Sequence, residues 1–415
     1  MNLNIERIEI LLLIAAFVAM IARRLKLPYT VGLVLAGSTL VLFPGLTDLA
    51  LTKDLVFNVL LPPLIFEAAF QMEWSALCRD LPVTLVLATL GVLFAASLIA
   101  FGVHFLLGWE WQPAILLGVL ISATDPVSVI ATFKEAGVQG RLRMLVESES
   151  LFNDGTAAVL FTIALAAMSG TTITAGHVAT SFLITFLGGI LCGGVIARLT
   201  LFVAGRTDDH LVEITFSTIA AYGSFLTAEH FHLSGVMATL TAGILFGNYG
   251  SRGGISYKGR AEVLSFWEYL AFVANSLIFL LIGVRLPHQN FGAVWLSLIV
   301  VTVLVLASRA VAVYGCCAPF LRSRWRVAWS HQHILVWGGL RGALALALVF
   351  GLPPDIPRRD KVVTIVFGIV AFSVLVQGLT MPWLLQRLGA LQPLEQEEVS
   401  DQNTSKSPSR IGEQP

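Results

Sequence analysis

Long apolar stretches recur along the whole of this 415-residue chain, and no other feature constrains its fold so tightly. About 20 such residues, wound as a helix, cross the roughly 30 Å of hydrocarbon in a bilayer. Water does not reach that depth, so each segment must satisfy its own backbone N–H and C=O groups, which for runs of this length means helices. The expected spans are 8–22, 30–46, 55–72, 82–107, 112–134, 145–169, 178–204, 211–230, 234–249, 263–284, 292–318, 330–351 and 362–388, thirteen in all. Composition agrees. Apolar residues make up 56% of the chain and charged residues 13%, against about 25% charged in a soluble domain. Mean hydropathy is +0.82. The reading is an all-α polytopic membrane protein, with a transmembrane domain over 1–390 and a polar, disordered cytoplasmic tail over 391–415.

Charge narrows the function classes. Twenty-six basic side chains balance 26 acidic ones, so no basic face points to nucleic acid. Cys78, Cys192, Cys316 and Cys317 lack metal-ligand spacing and read as small apolar core residues. The first apolar run has no basic region before it and no clear cleavage site, so it reads as a retained helix. With the N-terminus outside, the inner loops carry fifteen Lys and Arg and the outer segments six, which predicts N-out and C-in. The segment 352–361, with Arg358, Arg359 and Lys361, runs against that bias.

An odd number of spans allows two six-helix units, in opposite orientations, around a linker helix. Such inverted repeats are common in secondary transporters. The fifth and twelfth spans then correspond, and both look interrupted. The fifth holds "ATDPVSV" (123–129), where Pro126 removes an amide donor and disfavours helix at Asp125. The twelfth holds "GGLRGA" (338–343). Breaks at matching positions of two halves point to a midplane binding site.

The ionisable residues inside the spans are Glu67, Asp125, Glu149, Asp154, Glu268, Arg309 and Arg341. A carboxylate at the centre of a membrane helix costs roughly 3 kcal/mol or more, so each needs a purpose or a partner. The stretch "ESESLFNDGTAAVLF" (147–161) holds Glu147, Glu149, Asn153 and Asp154. Ser150 and Asp154, four apart, stack on one helix face; Glu149 and Asn153 stack on the next. A dehydrated monovalent cation needs several hard oxygen ligands. Asp154, Ser150 and the carbonyls freed by the fifth-span break could supply them. A carboxylate that gives up a proton to accept the cation couples the two by competition; burial, which disfavours the charged form, tunes such an acid. Glu149 is expected to pair with Arg309 or Arg341. Glu67 is read toward the cation cavity, after Pro62 and Pro63, which are expected to break the third helix. Asp125 is expected to support the break by capping freed amides or offsetting helix dipoles. Glu268, placed near a helix end, and His104, in a lipid-like run, are read as structural. The glycine-rich stretch 247–259 lacks the Lys-Ser/Thr ending of a phosphate loop and reads as a flexible connection.

"LLPPLIFEAA", "ATDPVSV", "ESLFNDGTA" and "GGLRGALALAL" occur in this order and resemble the monovalent cation:proton antiporter family of the bacterial NhaP type, to which eukaryotic sodium–proton exchangers are related. The resemblance covers about residues 8–390. It implies a thirteen-helix inverted-repeat fold, with a dimerisation domain and a mobile core, working as a homodimer by elevator-like alternating access. It implies that Asp154 exchanges cation for proton, and that Glu67, the Thr124 backbone, Ser150 and Asp154 supply the Na⁺ ligands. It pairs Glu149 with Arg309 in "LASRAVAVY" and gives Arg341 the support of the crossing. An Asn153–Asp154 pair in place of two aspartates implies electroneutral exchange. Glu67, and the lack of a large regulatory cytoplasmic domain, imply a bacterial inner membrane.

The function expected is therefore electroneutral Na⁺(Li⁺)/H⁺ antiport. No cofactor is expected beyond the transported ions, and the partners expected are monovalent cations, protons, membrane lipids and a second copy of the chain. A K⁺/H⁺ antiporter of the same fold is the alternative. An intramembrane aspartyl protease using Asp125 and Asp154 would need both acids to share a proton, and Asn153 and Ser150 suit cation ligation better. A cation channel would need a continuous pore rather than carboxylates on broken helices.

Overall fold

The computed structural model describes residues 5–25, 27–42, 54–135, 137–168, 174–249 and 255–390; the tail expected over 391–415 lies outside the described residues. Helices follow one another with no strand among the described residues. The chain opens with α1 (Ile5–Leu25) and α2 (Tyr29–Leu40). A π-helical turn, Leu55–Leu60, runs directly into α3 (Leu61–Gln71). A second, Leu87–Gly91, joins α4 (Trp74–Val86) to α5 (Val92–Leu107). Then come two half-helices, α6 (Trp111–Leu120) and α7 (Val127–Glu135). Six uninterrupted helices follow: α8 (Arg141–Met168), α9 (Ala175–Ala204), α10 (His210–His230), α11 (Gly235–Tyr249), α12 (Tyr257–Arg285) and α13 (Trp295–Cys317). Another pair of half-helices, α14 (Trp329–Trp337) and α15 (Ala343–Phe350), precedes α16 (Arg359–Phe372). A π-helical stretch, Ser373–Gln377, links α16 to α17 (Gly378–Arg387).

Among the described residues each of the thirteen expected spans holds helix, the fifth and twelfth in two halves. The first six, through α8, and the last six, from α10, flank α9 as the linker. Seven helical runs are long and apolar enough to cross a bilayer on length and composition alone. The others fall short for physical reasons: the fifth and twelfth are split in two, α2, α11 and the third span (Leu55–Gln71) are short, and α1 carries charge at both ends. One expectation fails. Pro62 and Pro63 do not break the third span, because they occupy the first turn of α3 and the π-helical turn leads straight into it. Proline is tolerated at a first turn, where its missing N–H costs no internal bond.

The helices meet through small residues, as membrane packing favours. α2 and α12 touch at Gly37 and Gly283: a methyl group on Gly37 would lie 2.9 Å from the Gly283 Cα and collide with the Leu280 carbonyl oxygen. The face of α9 turned away from the core carries Ile184, Leu187, Leu191, Val195, Leu199 and Phe202, all exposed at spacings of three and four residues, a stripe fit for lipid. α8 is the reverse; from Ser148 to Leu160 every side chain is buried. That burial lets α8 carry a site.

Cysteines and histidine refine two expectations. Cys316 and Cys317 are buried, but Cys78 is exposed, so the reading as core residues holds only for the adjacent pair and not for Cys78. The His104 ring bonds the Trp109 carbonyl at 2.6 Å and stacks on Trp111 at a 4.0 Å centroid distance, a packed histidine.

Candidate functional site

Both interruptions lie where the sequence placed them, and they meet. Residues 121–126 and 338–342 are non-helical, and the Asp125 N–H donates to the Leu340 carbonyl at 2.7 Å. Two half-helix N-termini converge on Asp125. Its Oδ1 accepts from the Val127 N–H at 2.9 Å and its Oδ2 from the Ala343 N–H at 3.3 Å. One carboxylate thus caps α7 and α15 together and offsets the positive ends of both dipoles. Gly342 is needed for this approach, since a Cβ there would overlap the Asp125 carboxylate.

The carbonyl end of α14 faces cations and an amide. Arg309 Nη2 donates to the Leu335 carbonyl at 3.1 Å and Gln377 Nε2 to the Trp337 carbonyl at 3.0 Å. Arg341, 1% exposed, bonds the Gly339 carbonyl at 3.2 Å through Nη1, while its Nε and Nη2 have no partner. Broken helices at membrane depth require this kind of satisfaction by surrounding protein.

α8 crosses beside the breaks, and its side chains split by face. Glu149, 1% exposed, receives both guanidinium arms of Arg309 at 2.8 Å. Of the two arginines the residue pattern left open, Arg309 is the partner. Asn153 is fully buried. Its Nδ2 donates to Glu149 Oε1 at 3.0 Å and to Thr124 Oγ1, and its Oδ1 accepts from the Thr124 N–H at 3.1 Å. Ser150 Oγ lies 3.1 Å from Thr124 Oγ1. A chain of hydrogen bonds therefore runs from the first break at Thr124, through Asn153, Glu149 and Arg309, to Leu335 in the last turn of α14, which leads into the second break. Asn153 spends its amide on this chain.

Asp154 stands apart. It is 9% exposed, and no hydrogen bond or ion pair reaches its carboxylate among the described residues. It lines a cavity of about 480 Å³ together with Glu67, Thr124 and Asp125. Glu67, half-buried, accepts a hydrogen bond from Gln71 Nε2. The wall carries five carboxylates (Glu67, Asp125, Glu147, Asp154, Glu268) against the guanidiniums of Arg23 and Arg143. Such an imbalance draws cations inward. Ser150, Asn153, Glu149, Arg309 and Arg341 lie behind this wall rather than in it.

Glu268 corrects its expectation of lying near a helix end. α12 begins at Tyr257, three turns earlier, so Glu268 faces the cavity well within the helix. Two participants, Gln71 and Gln377, escaped a search confined to ionisable groups. The signal was present: an amide in an apolar membrane helix is also costly unless bonded. Among the described residues no group of three His, Cys, Asp or Glu is arranged to hold a metal ion.

Comparison with known proteins fits this geometry. The sequence profile of the family described as "Sodium/hydrogen exchanger, transmembrane" matches residues 11–387. The Na⁺/H⁺ antiporter ApNhaP of Aphanothece halophytica is 36% identical over 397 residues, which cover 94% of this chain and 75% of that one. The Na⁺/H⁺ antiporter NhaP of Pseudomonas aeruginosa is 32% identical over 422 residues, covering 93% and 99%. The solved structure of the sodium proton antiporter MjNhaP1 from Methanocaldococcus jannaschii superposes with a TM-score of 0.75 at 20% identity, over 93% of this chain and 98% of that one. At that identity the superposition speaks for the fold.

Proposed function

The chain belongs to the transmembrane sodium/hydrogen exchanger family, and on that premise we propose that it is an electroneutral Na⁺(Li⁺)/H⁺ antiporter with Asp154 as the exchanging carboxylate. The observation that carries this reading is the contrast between two acids on one helix. Glu149 is held by Arg309, whereas Asp154 faces the cavity with no hydrogen-bond or ion-pair partner among the described residues. A buried carboxylate of that kind is neutralised by whatever arrives, a proton or a monovalent cation. It holds one or the other, so release of one drives uptake of the next.

In this reading Glu67 and the Thr124 backbone complete the oxygen set around the Na⁺ carried by Asp154, with Ser150 behind the wall against the Thr124 hydroxyl. Asp125 has both oxygens engaged by backbone amides, so its role is to hold the crossing rather than to ligate the ion. The relatives are antiporters, which argues against the protease reading. With Glu149 neutralised internally, one cation replaces one proton per cycle and no net charge moves. The breaks, the crossing and the hydrogen-bond chain suit a core that moves as a unit against the remaining helices in a homodimer, the elevator form of alternating access. The positive-inside bias supports an inner-membrane location with the N-terminus outside. The cavity, whose wall includes Arg23 and Arg143, then opens to the cytoplasm.

The test is purified protein in vesicles carrying a pH gradient. Na⁺ and Li⁺ should dissipate the gradient, with the rate insensitive to membrane potential. An equal or larger response to K⁺ would replace the sodium reading by K⁺/H⁺ exchange. No response to any cation would overturn the proposal.

A further inference from the structure

Arg141, Arg143 and Glu147 are the charged residues of α8 that the exchange chemistry above does not use; Arg141 is held by Asp80 at 2.7 Å, which leaves Arg143 and Glu147. Arg143, Glu147, Leu151 and Asp154, spaced four, four and three apart, all line the cavity. That spacing keeps them on one helix face. At 1.5 Å per residue, Glu147 lies about 10 Å along the axis from Asp154, toward the helix start.

A second cavity of about 590 Å³ begins where the first ends. Its wall includes Glu73, Ser75, Arg79, Gln139 and Gly140, all exposed. Gln71, Arg143 and Glu147 belong to the walls of both cavities. Exposure falls along this route, from the Arg79 side chain at 65%, through Arg143 at 27% and Glu147 at 14%, to Asp154 at 9%. The two cavities therefore adjoin at these three residues, which form a neck between the exposed side of the second and the site in the first.

At the neck Arg143 Nε bonds Glu147 Oε1 at 2.8 Å, and each is the other's ion-pair partner. Beside them Gln71 reaches inward to Glu67. On an open helix surface such a pair would matter little. On the wall of a cleft with low-dielectric sides, one uncompensated charge alters the local concentration of a small ion by about tenfold or more.

Resting on the antiport reading above, we propose that the Arg143–Glu147 pair determines the apparent cation affinity of the exchanger from this face. Glu147 draws a monovalent cation through the neck, and Arg143 holds that attraction in check. Neither residue touches the cation at Asp154, so the pair acts on capture and release and leaves the exchange step alone.

The experiment measures initial rates of Na⁺-driven pH-gradient dissipation against Na⁺ concentration, in everted membrane vesicles. The proteins compared are wild type, Arg143→Gln, Glu147→Gln, the double variant and Arg143→Lys. Glu147→Gln should raise KM about tenfold and Arg143→Gln should lower it by a similar factor, with kcat within about twofold. The double variant and Arg143→Lys should return KM to near the wild-type value. Added choline chloride should shrink these differences by screening. Single-variant KM values within twofold of wild type, or losses confined to kcat, would overturn the proposal. Wild-type protein silent toward every cation would overturn the antiport reading beneath it; an active wild type with unmoved KM values would sink the neck alone. Arg143→Lys keeps both charges, so a KM displaced in that variant would also argue against a charge effect.

Discussion

Removing the Glu149 side chain should strand a positive charge inside the protein. Arg309 lies 6% exposed and Glu149 1%, joined by two hydrogen bonds of 2.8 Å. In Glu149→Ala the guanidinium keeps its bonds to the Leu335 carbonyl but loses its counter-charge, and Asn153 loses the acceptor of one amide bond. Breaking a buried pair by deleting one partner costs roughly 3–5 kcal/mol. An unfolding entropy of about 2.1 cal/mol/K per residue gives about 0.9 kcal/mol/K for a chain of this length, so Tm should fall by about 3–6 °C. Thermal unfolding of the purified protein in detergent, followed by intrinsic fluorescence, measures this directly. The contrast is a double variant, Glu149→Leu with Arg309→Met, which removes both charges and keeps the volume; it should recover much of the loss, because desolvation of the pair offsets most of its attraction. A Glu149→Ala protein melting within 1 °C of wild type, or a double variant less stable than the single one, would refute the assignment of this pair as a neutralised structural unit.

The remaining expectations concern the site and its two breaks. Asp154→Asn should abolish cation-driven pH change while Tm moves by less than about 1 °C, since no hydrogen bond or ion pair is lost with its carboxylate; normal transport by this variant would remove Asp154 from the mechanism. Asp125→Asn replaces one acceptor by an amide donor facing a backbone N–H, so one half-helix loses its cap. A cost of about 1–2 kcal/mol and slower transport should both appear, in unfolding and vesicle assays. Gln377→Leu leaves the buried Trp337 carbonyl without its donor and should destabilise by about 1–3 kcal/mol; unchanged Tm would mean that this carbonyl finds another partner.

The sequence by itself determined the number of spans, the positions of both breaks and the need of Glu149 for an arginine partner. It could do so because hydrocarbon is an unforgiving solvent. Each charge, glycine pair and proline inside an apolar span needs a compensating reason, and few reasons exist. The rest depended on which residues distant in the chain come together. That Asp125 caps two half-helices at once, and that Asn153 belongs to a chain running from one break to the helix end at the other, rest on contacts across 26 to 218 positions of sequence. The prolines of α3 were misread because a π-helical turn, which carries no local signature, leads into their first turn. The neck at Arg143 and Glu147 was hidden for the same reason. A pair four residues apart on a helix looks ordinary in sequence, and only the packing of α8 against its neighbours turns that face into the wall of a cavity.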